Sequence, residues 1–297
     1  MTSMPESLER PKVDLLASAW TTAGNAKPMT ENEESPYDLR SRIEAAAGAG
    51  YRGFGIVHAD LALARRQMGL RTLRAILEDN GIVHIEVEML GDWFATGERR
   101  RRSDAIRGDL LEAAGVLGAR HIKVGGEIHG HPWPFEKMAL DFHDLCRDAA
   151  NAGTRIAFEI MPFGTIADLE GGVSLVDTAG HSAGGLMLDL WHMARGKIDF
   201  DEVAALPRRY LFAVELDDAD SSLVGTMLED TLNRRRLCGE GAQDVTSFIR
   251  AVHATGFDGP WGVEILSDEH RKRSLQDQVT KSYATTIRQF HLANATK

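Results

Sequence analysis

The stretch TRIAFEIMPFGTIADLEGGVSLVDTAGHSAGGLMLDL, Thr154 to Leu190, carries the pattern on which the fold turns. Two apolar runs, Thr154 to Ile160 and Gly184 to Leu190, are each the length of a strand and enclose a weak helical pattern around Val173 to Ala179. Runs that are apolar throughout, rather than alternating, belong to strands covered on both faces. Such strands lie parallel beneath helices. The same cycle continues on either side. Toward the N-terminus stand VDLLASAW (Val13 to Trp20), GFGIVH (Gly53 to His58), IVHIEVEML (Ile82 to Leu90) and HIKVGG (His121 to Gly126). Helical patterns follow them at Tyr37 to Gly50, with Ser35 and Pro36 as start chemistry, at Leu70 to Asp79, at Ser103 to Leu117 and at Phe135 to Ala152. Toward the C-terminus, Gly184 to Leu190 leads to a short helix at Phe200 to Ala205. YLFAVEL (Tyr210 to Leu216) leads to one at Val245 to Thr255, and WGVEIL (Trp261 to Leu266) to the last, Ser274 to Leu292. Gly81 and Gly118 fall where helices stop.

Eight strand-helix alternations in 297 residues predict an α/β chain, a single (β/α)8 barrel, with a polar tail at 1–11 and an extended loop at 217–244 after the seventh strand. An open doubly wound sheet is the alternative, but the loop after the first strand, TTAGNAKP, lacks its glycine-rich phosphate fingerprint. Hydrophobic residues make up 43% and charged residues 26%, which suits a chain with a sizeable core. The formal charge of −10 opposes a polyanionic partner, so nucleic acid is not expected. Two cysteines, Cys146 and Cys238, rule out a disulfide framework and suit a reducing, cytoplasmic compartment. No apolar leader or stretch of membrane-spanning length is present, so no membrane partner is expected, while association with further copies of the chain is left open.

Four of the last strands end in acids: Glu159, Asp189, Glu215 and Glu264. In a barrel of this kind the carboxyl ends of the strands form the catalytic face, so these four converge near one point. At an effective dielectric of about 20, two unit charges about 4 Å apart repel by roughly 4 kcal/mol. Protons or a cation must therefore intervene. An all-oxygen set suits a hard dication, Mn or Mg, better than zinc. A single strand-end Glu is commonly a cap or a surface residue; four in register are not. His192, three residues past Asp189, lies on the same face and within reach of a substrate.

On these residues the chain resembles the xylose isomerase-like superfamily of TIM-barrel sugar isomerases, epimerases and sugar-polyol dehydratases, over nearly its whole length. Glu159 in RIAFEIMP, Asp189 with His192 in LMLDLWH, and Glu264 in WGVEIL look like the family's strand-five Glu, strand-six Asp-x-x-His and strand-eight Glu. RRLCGEGAQD (Arg235 to Asp244) looks like its glycine-bearing segment. The resemblance implies one divalent metal held by Glu, Asp, His and Glu. The chain departs at the seventh strand, where Glu215 stands for the usual His, and it offers Thr165 and Ser221 where ketose 3-epimerases carry further polar groups.

The implied chemistry is removal of a proton from the carbon beside a sugar carbonyl through a metal-stabilised enediolate, with Glu159 and Glu264 as base and acid. Return of the proton gives isomerisation or epimerisation. Loss of a β-substituent gives elimination, and the sequence leaves a lyase as the alternative. A non-catalytic barrel subunit is a further reading, and a DNA-repair nuclease is opposed by the acidic balance. Lesser candidates are Glu88, sharing a strand face with His84 and Glu86; Trp133, near His129 and His131, as a wall against the sugar; and Arg236, with Arg234 and Arg235, for an anionic substituent. Lys123 is a candidate partner for the acids, and Trp20 and His58 are candidate pocket lining. For each, ordinary salt-bridging or packing is the competing explanation.

Overall fold

Strands without a polar face must hide both sides, and in the computed structural model, which describes residues 13–295, they do so by closing on themselves. The expected tail at 1–11 lies outside the described residues. The barrel strands are β1 (Leu15–Ala17), β2 (Gly53–Val57), β3 (His84–Leu90), β4 (His121–Gly125), β5 (Ile156–Glu159), β6 (Gly184–Asp189) and β7 (Leu211–Leu216). A short antiparallel pair follows, β8 (Asp218–Ala219) with β9 (Arg235–Arg236), and β10 (Trp261–Val263) completes the ring in the order β1-β10-β7-β6-β5-β4-β3-β2. All eight barrel pairings are parallel, as the (β/α)8 reading requires. Among the described residues no helix is long and apolar enough to cross a membrane.

The helices cover the ring with one apolar stripe each. Phe135–Asn151 buries Met138, Phe142, Leu145 and Ala149, spaced three or four apart, and Phe142 packs edge-on against Phe158 of β5. Full burial of a side chain such as Phe142 contributes about 2 kcal/mol or somewhat more. The Phe212 ring of β7 lies directly over a glycine of β6. A methyl group on Gly185 would sit 2.5 Å from the Phe212 ring, so only glycine fits there.

Three local readings differ from the structure. The first helix starts at Leu39, capped by Asp38, whose carboxylate accepts from Ser41 N; Ser35 and Pro36 precede it in a turn. A helix not anticipated from the sequence, His58–Gln67, precedes Leu70–Asp79, and the two are separated by Gly69 at φ +80. The segment 217–244 is not an irregular loop. It holds β8 and β9 and a helix, Met227–Asn233, opened by a capping box between Thr226 and Glu229. A two-residue strand pair and a seven-residue helix are too short to show a period in the sequence.

Candidate active site

Register sets the acids at one level. Glu159 and Asp189 are the last residues of β5 and β6, Asp189 is paired with Glu215 of β7, and Glu264 follows β10 by one residue. One oxygen from each of the four lies within 4.8 Å of the others, and all four residues are buried. A second grouping joins Glu159, Asp189 and His192. The convergence read from the strand ends is therefore present.

Two cations stand among these acids. The Lys123 ammonium, in the middle of β4, lies 2.8 Å from Glu88, 2.8 Å from Glu215 and 2.9 Å from Glu264. The Arg235 guanidinium lies 2.6 Å from Asp189, 2.6 Å from Asp217 and 3.2 Å from Glu264, and donates to Thr231 Oγ1. Each is 1% exposed. Ser18 Oγ donates to Glu215 at 2.5 Å, and the Ala19 amide donates to Glu88. The Asp189 carboxylate accepts from the His192 amide, which opens the short helix Leu190–Arg195, and the His192 ring reaches Glu159 at 3.2 Å.

These contacts push the carboxyl groups in opposite directions. Burial alone would raise Glu159, but the His192 hydrogen bond and the Lys123 charge outweigh it and bring the group down to about 2. Glu88 is raised to about 7, by burial first and then by Glu86 and Glu264, against the pull of Lys123. Burial and neighbouring acids also raise Glu215 and Asp217. Burial would discharge Lys123 and Arg235, but the surrounding carboxylates hold both firmly protonated.

The donor set fits a hard dication. Six carboxyl groups, of Glu88, Glu159, Asp189, Glu215, Asp217 and Glu264, face two permanent cations, and burial with neighbouring acids pushes Glu88, Glu215 and Asp217 toward their neutral forms. Glu215 Oε2 and Asp217 Oδ1 are buried with no hydrogen-bond partner, the kind of oxygen a metal ion satisfies. Both Lys123 and Arg235 would share carboxylates with that ion.

A cavity opens over this floor. Glu88, Lys123, Glu159, His192, Arg235 and Glu264 line its base. Its walls are apolar, with Trp20, Met29, Met161, Phe163, Leu228 and Leu266 among them. Several expectations for substrate contacts are corrected here. Trp133 does not face the cavity; its indole donates to Glu127 and its ring packs on Phe94. Arg236 points outward to Asp220 and Glu269, and its neighbour Arg235 is the one turned inward, because alternate residues of a strand face opposite sides. His58 pairs with Asp109, away from the cavity, and Glu86 and His84 pair with His121 and Asp14. Asp217 and Ser18 escaped the sequence reading. Asp217 was visible as the acid following VEL, but only the hairpin brings Arg235 to it.

Beyond the carboxyl end of β7, the glycine segment is held by one carboxylate. Asp218 accepts from the amides of Ala219 (2.7 Å), Gly239 (2.9 Å), Gly241 (2.9 Å) and Gln243 (3.0 Å). This fixes the hairpin that delivers Arg235.

Among characterised proteins, the chain is 28% identical over 239 residues to the 3-dehydroshikimate dehydratase of Pseudomonas putida, a match covering 78% of this chain and 37% of that protein. The chain thus spans little more than a third of that relative's length. It is 23% identical over 155 residues to the inosose isomerase of Bacillus subtilis, covering 51% of this chain and 55% of that one. The solved structure of the IOLI protein with a bound zinc atom superposes with a TM-score of 0.82 at 18% identity, covering 95% of this chain and 99% of that one. The family model described as xylose isomerase-like TIM barrel matches residues 43–285, and with the closed eight-stranded ring and its strand-end acids this establishes that the chain belongs to the xylose isomerase-like TIM barrel family.

Proposed function

We propose that this protein is a sugar-modifying enzyme that transfers a proton at the carbon beside a carbonyl of a sugar or cyclic keto-polyol, and that it is an isomerase or epimerase assisted by one Mn or Mg ion. The observation that carries the reading is the convergence of Glu159, Asp189, Glu215 and Glu264 at the floor of a cavity on the carboxyl side of the strands. These four would hold the ion. When bound, it would supply a Lewis acid for the substrate's oxygens.

The chain's own groups account for the rest. Glu159 is ionised at neutral pH, held so by His192 and Lys123, and is the proposed proton acceptor. Glu264, fixed by both Lys123 and Arg235, is the second proposed catalytic carboxylate. Glu88, raised to about 7, holds a proton near neutrality on the same floor and can donate a hydrogen bond to a substrate oxygen. His192 is proposed to contact the substrate and to keep Glu159 aligned. The apolar walls lower the local polarity around the site and so strengthen each of these interactions. A second reading, elimination by a lyase, is favoured by one finding: the relative matched over the larger share of this chain, of the two characterised proteins above, is a dehydratase.

The test is a panel of ketoses, inososes and keto-glycosides incubated with protein and Mn²⁺ in D₂O and followed by NMR. Deuterium at the carbon beside the carbonyl supports the proposal, and the product separates isomerase or epimerase from lyase. Glu159→Gln is expected to abolish exchange while the protein stays folded. Full exchange in that variant would overturn the assignment.

A further inference from the structure

We infer that Lys123 is a built-in cation of the acid ring: it assembles the site in the absence of metal, and the ion proposed above binds as an exchangeable ligand rather than as a structural one. The second half rests on the proposed metal; the first does not.

The geometry is that of a dedicated contact. The Lys123 ammonium donates hydrogen bonds to Glu215 at 2.8 Å and Glu264 at 2.9 Å and forms an ion pair with Glu88 at 2.8 Å, so three carboxylates surround it. The side chain is 1% exposed, rising from β4 into the interior of the ring where no solvent screens it. Glu215 and Glu264 are two of the four acids that converge on one point. Arg235 serves Asp189 and Glu264 in the same way, and His192 serves Glu159. Each member of the metal-type set thus already has a protein partner, whereas Glu215 Oε2 stays buried without a hydrogen-bond partner and is the oxygen left for an ion. An ion entering the ring shares oxygens with Lys123 and is repelled by it. The lysine therefore lowers affinity for the ion in exchange for a site that is assembled beforehand.

Three proteins test this: wild type, Lys123→Met, which keeps the length and loses the charge, and the double variant Lys123→Met/Glu215→Gln, which removes one charge of each sign. Thermal unfolding is measured in chelator and in Mn²⁺, and Mn²⁺ binding by calorimetry. The wild type is expected to stay folded in chelator with a cooperative melt, and Mn²⁺ to raise its Tm only by the increment that ligand binding confers, smaller than the rise in Lys123→Met. Lys123→Met is expected to melt lower in chelator by about 5 °C or more, to recover in Mn²⁺, and to bind Mn²⁺ about tenfold more tightly. The double variant is expected to regain stability in chelator. Wild type that unfolds on chelation, or Lys123→Met that matches wild type in chelator, overturns the inference. Should Lys123→Met fold only with Mn²⁺, the inference stands; should it and the double variant both fail to fold in either condition, it falls. If none of the three binds Mn²⁺, the metal reading of the proposed function fails, and recovery of the double variant still decides the role of Lys123.

Discussion

Asp218 offers a clear test of how the site is supported. Its carboxylate accepts four backbone N–H groups, from Ala219, Gly239, Gly241 and Gln243, at 2.7 to 3.0 Å. A hydrogen bond to a buried charged group is worth roughly 1.5–3 kcal/mol. Here the carboxylate is fully buried, but Gly239 and Gly241 are exposed, so water can satisfy their amides once the carboxylate is gone. Allowing about 1 kcal/mol for each bond, Asp218→Ala is expected to cost about 4 kcal/mol. Asp218→Asn keeps one acceptor and turns an amide NH₂ toward backbone donors, and is expected to cost about half as much. Urea denaturation followed by tryptophan fluorescence reads the loss as a lower midpoint with unchanged slope. Amide hydrogen exchange at Gly239, Gly241 and Gln243 reads release of the segment directly. A loss below about 1 kcal/mol together with unchanged exchange at those amides would refute the claim that this carboxylate holds the segment. Because Arg235 sits on the same hairpin, the variants should also loosen its grip on Asp189 and Asp217.

Gly262→Ala places a methyl 2.6 Å from Glu215 Cγ and 2.8 Å from the Val214 carbonyl oxygen, so it should lower stability by about 1–3 kcal/mol in urea melts. A wild-type midpoint would show that β10 can yield there. His270 is buried, and burial first of all lowers it from 6.5 to about 4 while Nε2 donates to the Thr21 carbonyl. A folded value below the unfolded one means that stability is fully present above pH 6.5, is lost as the pH falls toward 4, and levels off below. The change is on the order of 3 kcal/mol, and His270→Gln should remove it; equal pH slopes in the two proteins would count against it. Both thiols are buried, and burial pushes Cys146 up to about 12 and Cys238 higher. Neither should react with a disulfide reagent in the native protein, and both should react in denaturant.

The barrel and the end at which its acids gather were legible because strands buried on both faces leave an unmistakable apolar run, and because a carboxylate at the end of such a run is costly without a partner. Glu159, Asp189, Glu215 and Glu264 announced themselves in this way, each in its own strand, and register then gathered them as expected. The segment 217–244 did not, since β8, β9 and the helix between them are too short for periodicity and owe their shape to Asp218 and the capping box. The directions of Trp133, expected as a wall against the sugar, and Arg236, expected to meet an anionic substituent, were not legible for a related reason: side chains on loops and short strands take directions that no local pattern encodes.

Sequence by itself determined which residues are apolar, in what order strand and helix alternate, and where acids interrupt the strands, since these follow from local composition and period. Tertiary structure alone decided that Lys123 of β4 meets Glu88, Glu215 and Glu264, and that Arg235, not Arg236, turns inward to Asp189. Such pairings join groups up to 141 positions apart, and their energy exists only once closure of the ring has removed the water between them.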